Sequence, residues 1–317
     1  MKNKIIIIIS LLSLVWLNTV AQNDILLTQQ WFSRINRNPA STGNTDDLDF
    51  FLLTRRQWMG VKEMPQTNLL NVHSYFDAVR SGLGLSASYD QPGGPATTVV
   101  NVKLAYAYHV NLQDELLLSL GVSAGILNKS FDPSKHTWQN PGAPEVTSME
   151  KESKTNADFD FGIELSMPKL LLGASITHLG NTRKSDNSNL STFTSPQHHY
   201  LYARGNFALS PVFDIAPSIV FLNTGQVNML TVGAMLFYNK MFWVGIDYRP
   251  PSPSDWRQFD YSVITGMLGV EWDYFRLGYA YDLSLGKLSD FSSSTHELML
   301  SARIPTKKKT ERVRFVQ

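Results

Sequence analysis

Asp158-Phe159-Asp160-Phe161-Gly162-Ile163-Glu164-Leu165-Ser166-Met167 alternates without a break. The odd positions are aromatic or aliphatic. The even positions are acidic or small. Successive side chains of a strand point to opposite faces, so the stretch has one apolar face and one polar face. Wound as a helix, the same residues would scatter Asp, Phe and Glu around the whole circumference, so the period of two decides for a strand. Ten residues also match the length of a tilted strand that crosses a bilayer, about 9–11.

The pattern recurs. Val100, Val102, Leu104, Tyr106 and Tyr108 oppose Asn101, Lys103, Ala105, Ala107 and His109. Leu116, Leu118, Leu120, Val122 and Ile126 oppose Ser119, Gly121, Ser123 and Gly125. Phe275, Leu277, Tyr279 and Tyr281 oppose Arg276, Gly278, Ala280 and Asp282. Segments 82–89 and 295–304 alternate in the same way, while those at 48–57, 227–238 and 259–270 are less clean. With 67–76, 170–179, 199–209, 213–222 and 241–248, the strands expected number fourteen. An even count suits an antiparallel up-and-down transmembrane β-barrel. The expected fold is therefore all-β, with the barrel over residues 48–304.

Connection lengths support this independently. The odd-numbered connections are long: 59–66, 90–97, 128–157, 180–198, 249–258 and 284–294. The even-numbered ones are tight, as at 111–115, 168–169 and 239–240. One odd connection, 223–226, stays short. Barrels with periplasmic termini have short periplasmic turns and long outer loops. A soluble β-sandwich or solenoid gives no reason for that alternation, nor for tyrosines near strand ends.

Composition narrows the compartment. Lys2 and Lys4 precede an apolar run from Ile5 to Leu17, and Thr19-Val20-Ala21 supplies small residues for cleavage. Residues 1–21 read as a secretory signal peptide. The run is too short for a membrane anchor of about 20 residues. Of 28 basic residues the signal holds two, which leaves 26 against 27 acidic ones, and nothing points to nucleic acid. The chain has no cysteine, which excludes a lipidated cysteine, disulfides and thiolate metal sites. Residues 22–47 are polar and aperiodic, yet they contain Trp31, Phe32 and Ile35. A folded plug or periplasmic segment explains those three better than a disordered arm. Residues 305–317 form a tail with Lys307, Lys308, Lys309, Arg312 and Arg314, read as solvated.

Catalytic and metal signals fail on context. Gly121-Val122-Ser123-Ala124-Gly125 has the spacing of a nucleophile elbow, but that motif needs a strand-to-helix turn and this one sits within a strand. Small residues facing a crowded lumen explain it. Gly82-Leu83-Gly84-Leu85-Ser86 lacks the helix N-terminus a phosphate loop requires. None of the seven histidines makes a helical i, i+4 pair, and His198 and His199 point to opposite faces of a strand. No catalytic residue, cofactor site or metal site is assigned. Lys103, Asp158, Asp160, Glu164, Asp247, Arg249, Arg276, Asp282, Glu297 and Arg303 fall on the inward face. Their mixed signs suit a mesh of ion pairs better than a selective pore, and truncating Lys103 is expected to be mild. Phe131, His136, Trp138 and Phe193, in the longest outer loops, are the candidates for contact with a protein partner.

A set of short stretches in fixed order is similar to the PorP/SprF family of outer-membrane proteins linked to type IX secretion and gliding. They are Gln30, Phe32-Ser33, Asn38-Pro39-Ala40 and Gly43; Arg56-Gln57-Trp58-Met59-Gly60 with Pro65-Gln66-Thr67; Gly82–Ser86; Tyr106-Ala107-Tyr108-His109; 118–128; and Arg276–Asp282 followed by Thr295-His296-Glu297. The resemblance covers nearly all of the mature chain. It implies a non-catalytic barrel in the outer-membrane lipid that docks or stabilises a secreted or surface-adhesin protein and meets periplasmic type IX components. The other reading is a general porin or small-solute transporter. One departure is the end of the chain, where 306–317 continues past the last strand.

Overall fold

The computed structural model describes residues 27–136, 150–180, 195–224, 227–251, 262–285 and 294–306. The expected signal peptide and most of the basic tail lie outside them.

Fifteen strands follow in order: β1 (Leu48–Met59), β2 (Gln66–Phe76), β3 (Ser81–Gln91), β4 (Thr97–Gln113), β5 (Leu116–Phe131), β6 (Glu152–Ser166), β7 (Leu170–Thr177), β8 (His198–Gly205), β9 (Phe207–Ala208), β10 (Phe213–Asn223), β11 (Asn228–Tyr238), β12 (Phe242–Arg249), β13 (Ser262–Trp272), β14 (Phe275–Leu285) and β15 (Ser294–Ile304). Each pairs antiparallel with its neighbours, and β1 pairs with β15. The sheet therefore closes on itself, which is the one way a sheet can leave no edge exposed to lipid.

The segment expected as one strand over 199–209 is divided into β8 and β9. Both keep the same register against β10. The break lies opposite Pro217, which has no N–H to give to the ladder. Asn206 turns its own N–H to the carbonyl of Lys169. The wall is thus a closed fourteen-strand barrel carrying a two-residue extra strand.

Alternation sets the two faces as expected. Val102, Leu104, Val122, Phe159, Phe161 and Leu298 are exposed on the outside, Leu104 to 68%. Lys103, Asp158, Asp160, Glu164, Asp282 and Glu297 are buried inside. All the short connections at one end have four residues or fewer. One of them uses Asn239 and Lys240 at φ 54° and 56°, the left-handed pair of a type I′ hairpin turn. Exposed aromatics ring that end, among them Tyr108, Tyr238, Phe242, Trp272 and Phe275. Such girdles sit at membrane interfaces.

Why the less clean strands are less clean is now visible. Phe51, Leu53, Met235, Phe237 and Met267 point inward and pack with Leu27, Phe32 and Trp243. Their strands are apolar on both faces because one faces lipid and the other a packed interior.

Candidate functional site

That interior is made by the chain itself. Residues from Leu27 to Gly43 are almost all buried. They touch inward groups of strands on every side of the barrel, which only a segment inside the wall can do.

Its contacts are specific. The Thr28 and Gln29 N–H groups donate to the Glu297 carboxylate at 3.0 and 2.7 Å. Arg34 Nε lies 2.9 Å from Glu164 Oε1, which also accepts from the Tyr202 hydroxyl at 2.5 Å. Asn38 ties the segment's turn to the wall. Its carboxamide oxygen accepts from the Ala40 N–H at 2.9 Å and caps the 3-10 turn Pro39–Ser41. Its NH2 donates to the carbonyls of Ile163 and Ala174 and to Tyr202. His109 Nε2 lies 2.9 Å from the Thr42 carbonyl, and the Gly43 N–H donates to His73 Nδ1. Arg37 lies over the rings of Trp31 and Tyr202, 4.7 and 4.8 Å from their centroids. Aromatic faces attract a guanidinium in this way.

The Gly121–Gly125 motif finds its reason here. A Cβ on Gly121 would collide with the backbone of Pro39 and Ala40, and one on Gly82 with the Thr42 carbonyl. Glycine lets the inner segment lie against the wall. Ser123 donates to Asp160, not to a histidine. A second cluster lies nearer the long-connection end. Lys103 Nζ is 2.8 Å from Asp158 Oδ2 and 2.7 Å from Asp160 Oδ1. His178 places Nδ1 2.8 Å from Asp158 Oδ2, and its N–H donates to Asp160. Asp158, Asp160 and His178 are close enough to share a metal ion, but both carboxylates already hold the Lys103 ammonium. Most of the inward charges named from the sequence sit in ion pairs, while Arg249 donates instead to the Thr231 hydroxyl. Lys103 is buried and bridges two carboxylates, an environment in which its truncation is expected to cost more than the sequence pattern implied.

Above the inner segment is a cavity of about 440 Å3. Ile35 and Asn36 of the inner segment form its floor; Trp58, Pro65, Pro92 and Pro196 stand near its upper rim. Loops around this rim are fastened together. His136 Nδ1 lies 2.9 Å from Glu63 Oε2, and the Asp132 N–H donates to the Ala96 carbonyl. Hydrogen bonds from Ser134 hold the Asp132 carboxyl below the usual carboxylate range. Of the four loop candidates, Phe131 ends β5 and His136 follows it, both outside the cavity lining. Trp138 and Phe193 lie outside the described residues. Trp58 and His178, which do line the cavity, were not singled out by pattern. A bulge and a strand end place them, and neither leaves a period in the sequence.

The sequence profile of the type IX secretion system membrane protein PorP/SprF matches residues 19–302. This chain belongs to the PorP/SprF family. It is an outer-membrane β-barrel of the type IX secretion pathway. No curated protein matches its sequence. Among solved structures, the toluene transporter TbuX of Ralstonia pickettii is similar at a TM-score of 0.54 and 12% identity, over 86% of this chain and 93% of that one. A FadL homologue of Pseudomonas aeruginosa is similar at a TM-score of 0.50 and 10% identity, over 84% of this chain and 92% of that one. At such identities the likeness concerns the fold. In outer-membrane barrels short turns face the periplasm and long connections face outward. The family and the similar structures are secretion or transport barrels, not enzymes.

Proposed function

We propose that this barrel is a non-catalytic, non-conducting docking partner for one or a few secreted or surface proteins of the type IX pathway. The observation that carries this reading is the inner segment from Leu27 to Gly43. It acts as a plug, stitched to the wall through Glu164, Tyr202, Glu297 and His109. A lumen filled by its own chain has little room for bulk diffusion. What it offers outward is a cavity with loop residues around its rim. Periplasmic components of the machinery meet its short-turn face.

Deleting the gene tests this. A particular large protein is expected to disappear from the cell surface or medium while other secretion persists. The purified barrel is expected to conduct little in single-channel recordings. If the deletion slows small-solute uptake and leaves the secreted set unchanged, the barrel is a porin and the docking reading is wrong.

A further inference from the structure

The cavity above the inner segment has features that its wall does not need. Trp58 sits where the β1–β15 register shifts between Arg56 and Met59, and it holds φ at 56°. A bulky residue in the left-handed region is strained. Bulges re-aim side chains, and this one brings Trp58 to the cavity. Its indole N–H is buried without a partner. His178, also lining the cavity, holds φ at 62°. Asn101 donates to Asp158, while its carboxamide oxygen is buried with no donor to accept from.

Three properties narrow the ligand. The floor is closed by Ile35 and Asn36, so whatever enters from outside must enter by an end or a tight turn. Of the charged groups in the lining, Lys103 is paired with Asp158 and Asp160 and Arg55 with Asp282 and Glu297, and Lys129 and Asp90 are of opposite sign, so the site does not demand a charged ligand. The lining mixes apolar side chains (Ile35, Leu69, Leu127) with amides and hydroxyls (Gln57, Asn101, Ser88). A saccharide would leave the apolar groups uncovered. A short peptide brings apolar side chains together with backbone donors and acceptors. The volume lies within the 300–1,000 Å3 usual for ligand pockets. The closed barrel offers no free strand edge within its described wall, so recognition by added strand is not open to the partner.

We infer that the cavity is a blind receptor for a chain end or tight turn of a partner polypeptide, with Trp58 as the anchor that the bulge presents. This rests on the docking reading and specifies where on the barrel docking occurs.

The chain has no cysteine, so Ser88→Cys creates a single thiol in the cavity lining. It is labelled with a benzophenone maleimide on intact cells and irradiated, with Phe131→Cys as a rim position outside the cavity. The expected adduct at Ser88 is one polypeptide, crosslinked through a terminus or a turn. Adding Trp58→Ala is expected to reduce that adduct roughly tenfold or more, the loss usual for an anchor tryptophan. Barrel abundance and heat-modified gel mobility are expected to stay unchanged. Ser88→Trp, which fills the cavity, is expected to displace the partner from the surface without loss of the barrel. The inference is overturned if the Ser88 position gives no adduct, if the adduct is a saccharide, or if Trp58→Ala leaves a peptide adduct undiminished. The two readings fail separately. Loss of a secreted protein on deletion, with an adduct at Phe131 but none at Ser88, retains docking and removes the cavity. A Ser88 peptide adduct with an unchanged secreted set retains the cavity and removes the cargo role.

Discussion

Two buried charge clusters on neighbouring inward positions do different work. Around Glu164, the wall carboxylate takes Arg34 of the inner segment and the Tyr202 hydroxyl. Around Asp158 and Asp160, the partners Lys103, Ser123 and His178 all belong to the wall or its rim. Both clusters lie on β6, six and four residues apart in sequence from Asp158 and Asp160 to Glu164. One fastens a separate segment; the other ties β4, β5 and β6 together and forms a side of the open cavity. One strand face can thus close the lumen at the periplasmic end and shape a cavity at the other. The difference lies in what stands opposite each carboxylate.

Removing one partner from each cluster separates the two roles, with the largest expected effects. A buried pair broken on one side leaves an uncompensated charge and costs about 3–5 kcal/mol. Glu164→Ala strands Arg34 and is expected to loosen the inner segment as well as the barrel. Lys103→Ala leaves Asp158 and Asp160 facing each other and is expected to destabilise the wall with the inner segment still seated. Thermal unfolding followed by heat-modified gel mobility measures the first quantity. Proteolysis of Leu27–Gly43 in purified folded protein measures the second. If Lys103→Ala exposes the inner segment as readily as Glu164→Ala, the clusters are one unit and the contrast fails.

The outer face supplies the next test. Val102 is outward, one residue from Lys103 on β4. Val102→Arg is expected to cost about 2–4 kcal/mol if it lies at mid-membrane, and to reduce assembly into the membrane. Assembly at the normal level would place Val102 nearer the membrane interface than the girdles indicate.

Much of this wall was legible from the sequence because a period of two is a local property. Val102 and Lys103 could be assigned opposite faces from their neighbours alone. The fourteen strands followed, with β9 set apart only because Pro217 interrupts a ladder across the sheet. The inner contacts were not legible. Glu164 and Arg34 are 130 positions apart, and no local pattern links them. Trp31, Phe32 and Ile35 gave a reason to expect order in that polar stretch, but not the strands they would meet. The two cavity residues were hidden for another reason. Trp58 reaches the cavity through a bulge, where alternation fails, and His178 through a left-handed residue after β7. Phe131 and His136 stand at an outer connection outside the cavity lining, and the aromatic character that made them candidates for protein contact does not say which way a loop side chain turns.

The smallest expected effect lies at the rim. His136 and Glu63 join two outer connections, and the histidine side chain is 37% exposed against 16% for the glutamate. An exposed pair of this kind is worth about 0–1 kcal/mol, so Glu63→Gln should barely move the unfolding temperature. Glu63 also holds φ at 60° and lies close to Gly94 of the next outer connection. The contact therefore orders three loops around the cavity mouth even though it contributes little to the fold. Protease added to intact cells should cut the connection 60–65 faster in Glu63→Gln than in the parent, while the turns at 113–116 and 239–241 stay protected in both. Faster cutting with an unchanged unfolding temperature would separate the rim from the wall. A fall in stability comparable to that of Glu164→Ala would instead make the rim part of the same cooperative unit as the inner segment, and the two ends of the barrel would no longer be distinct.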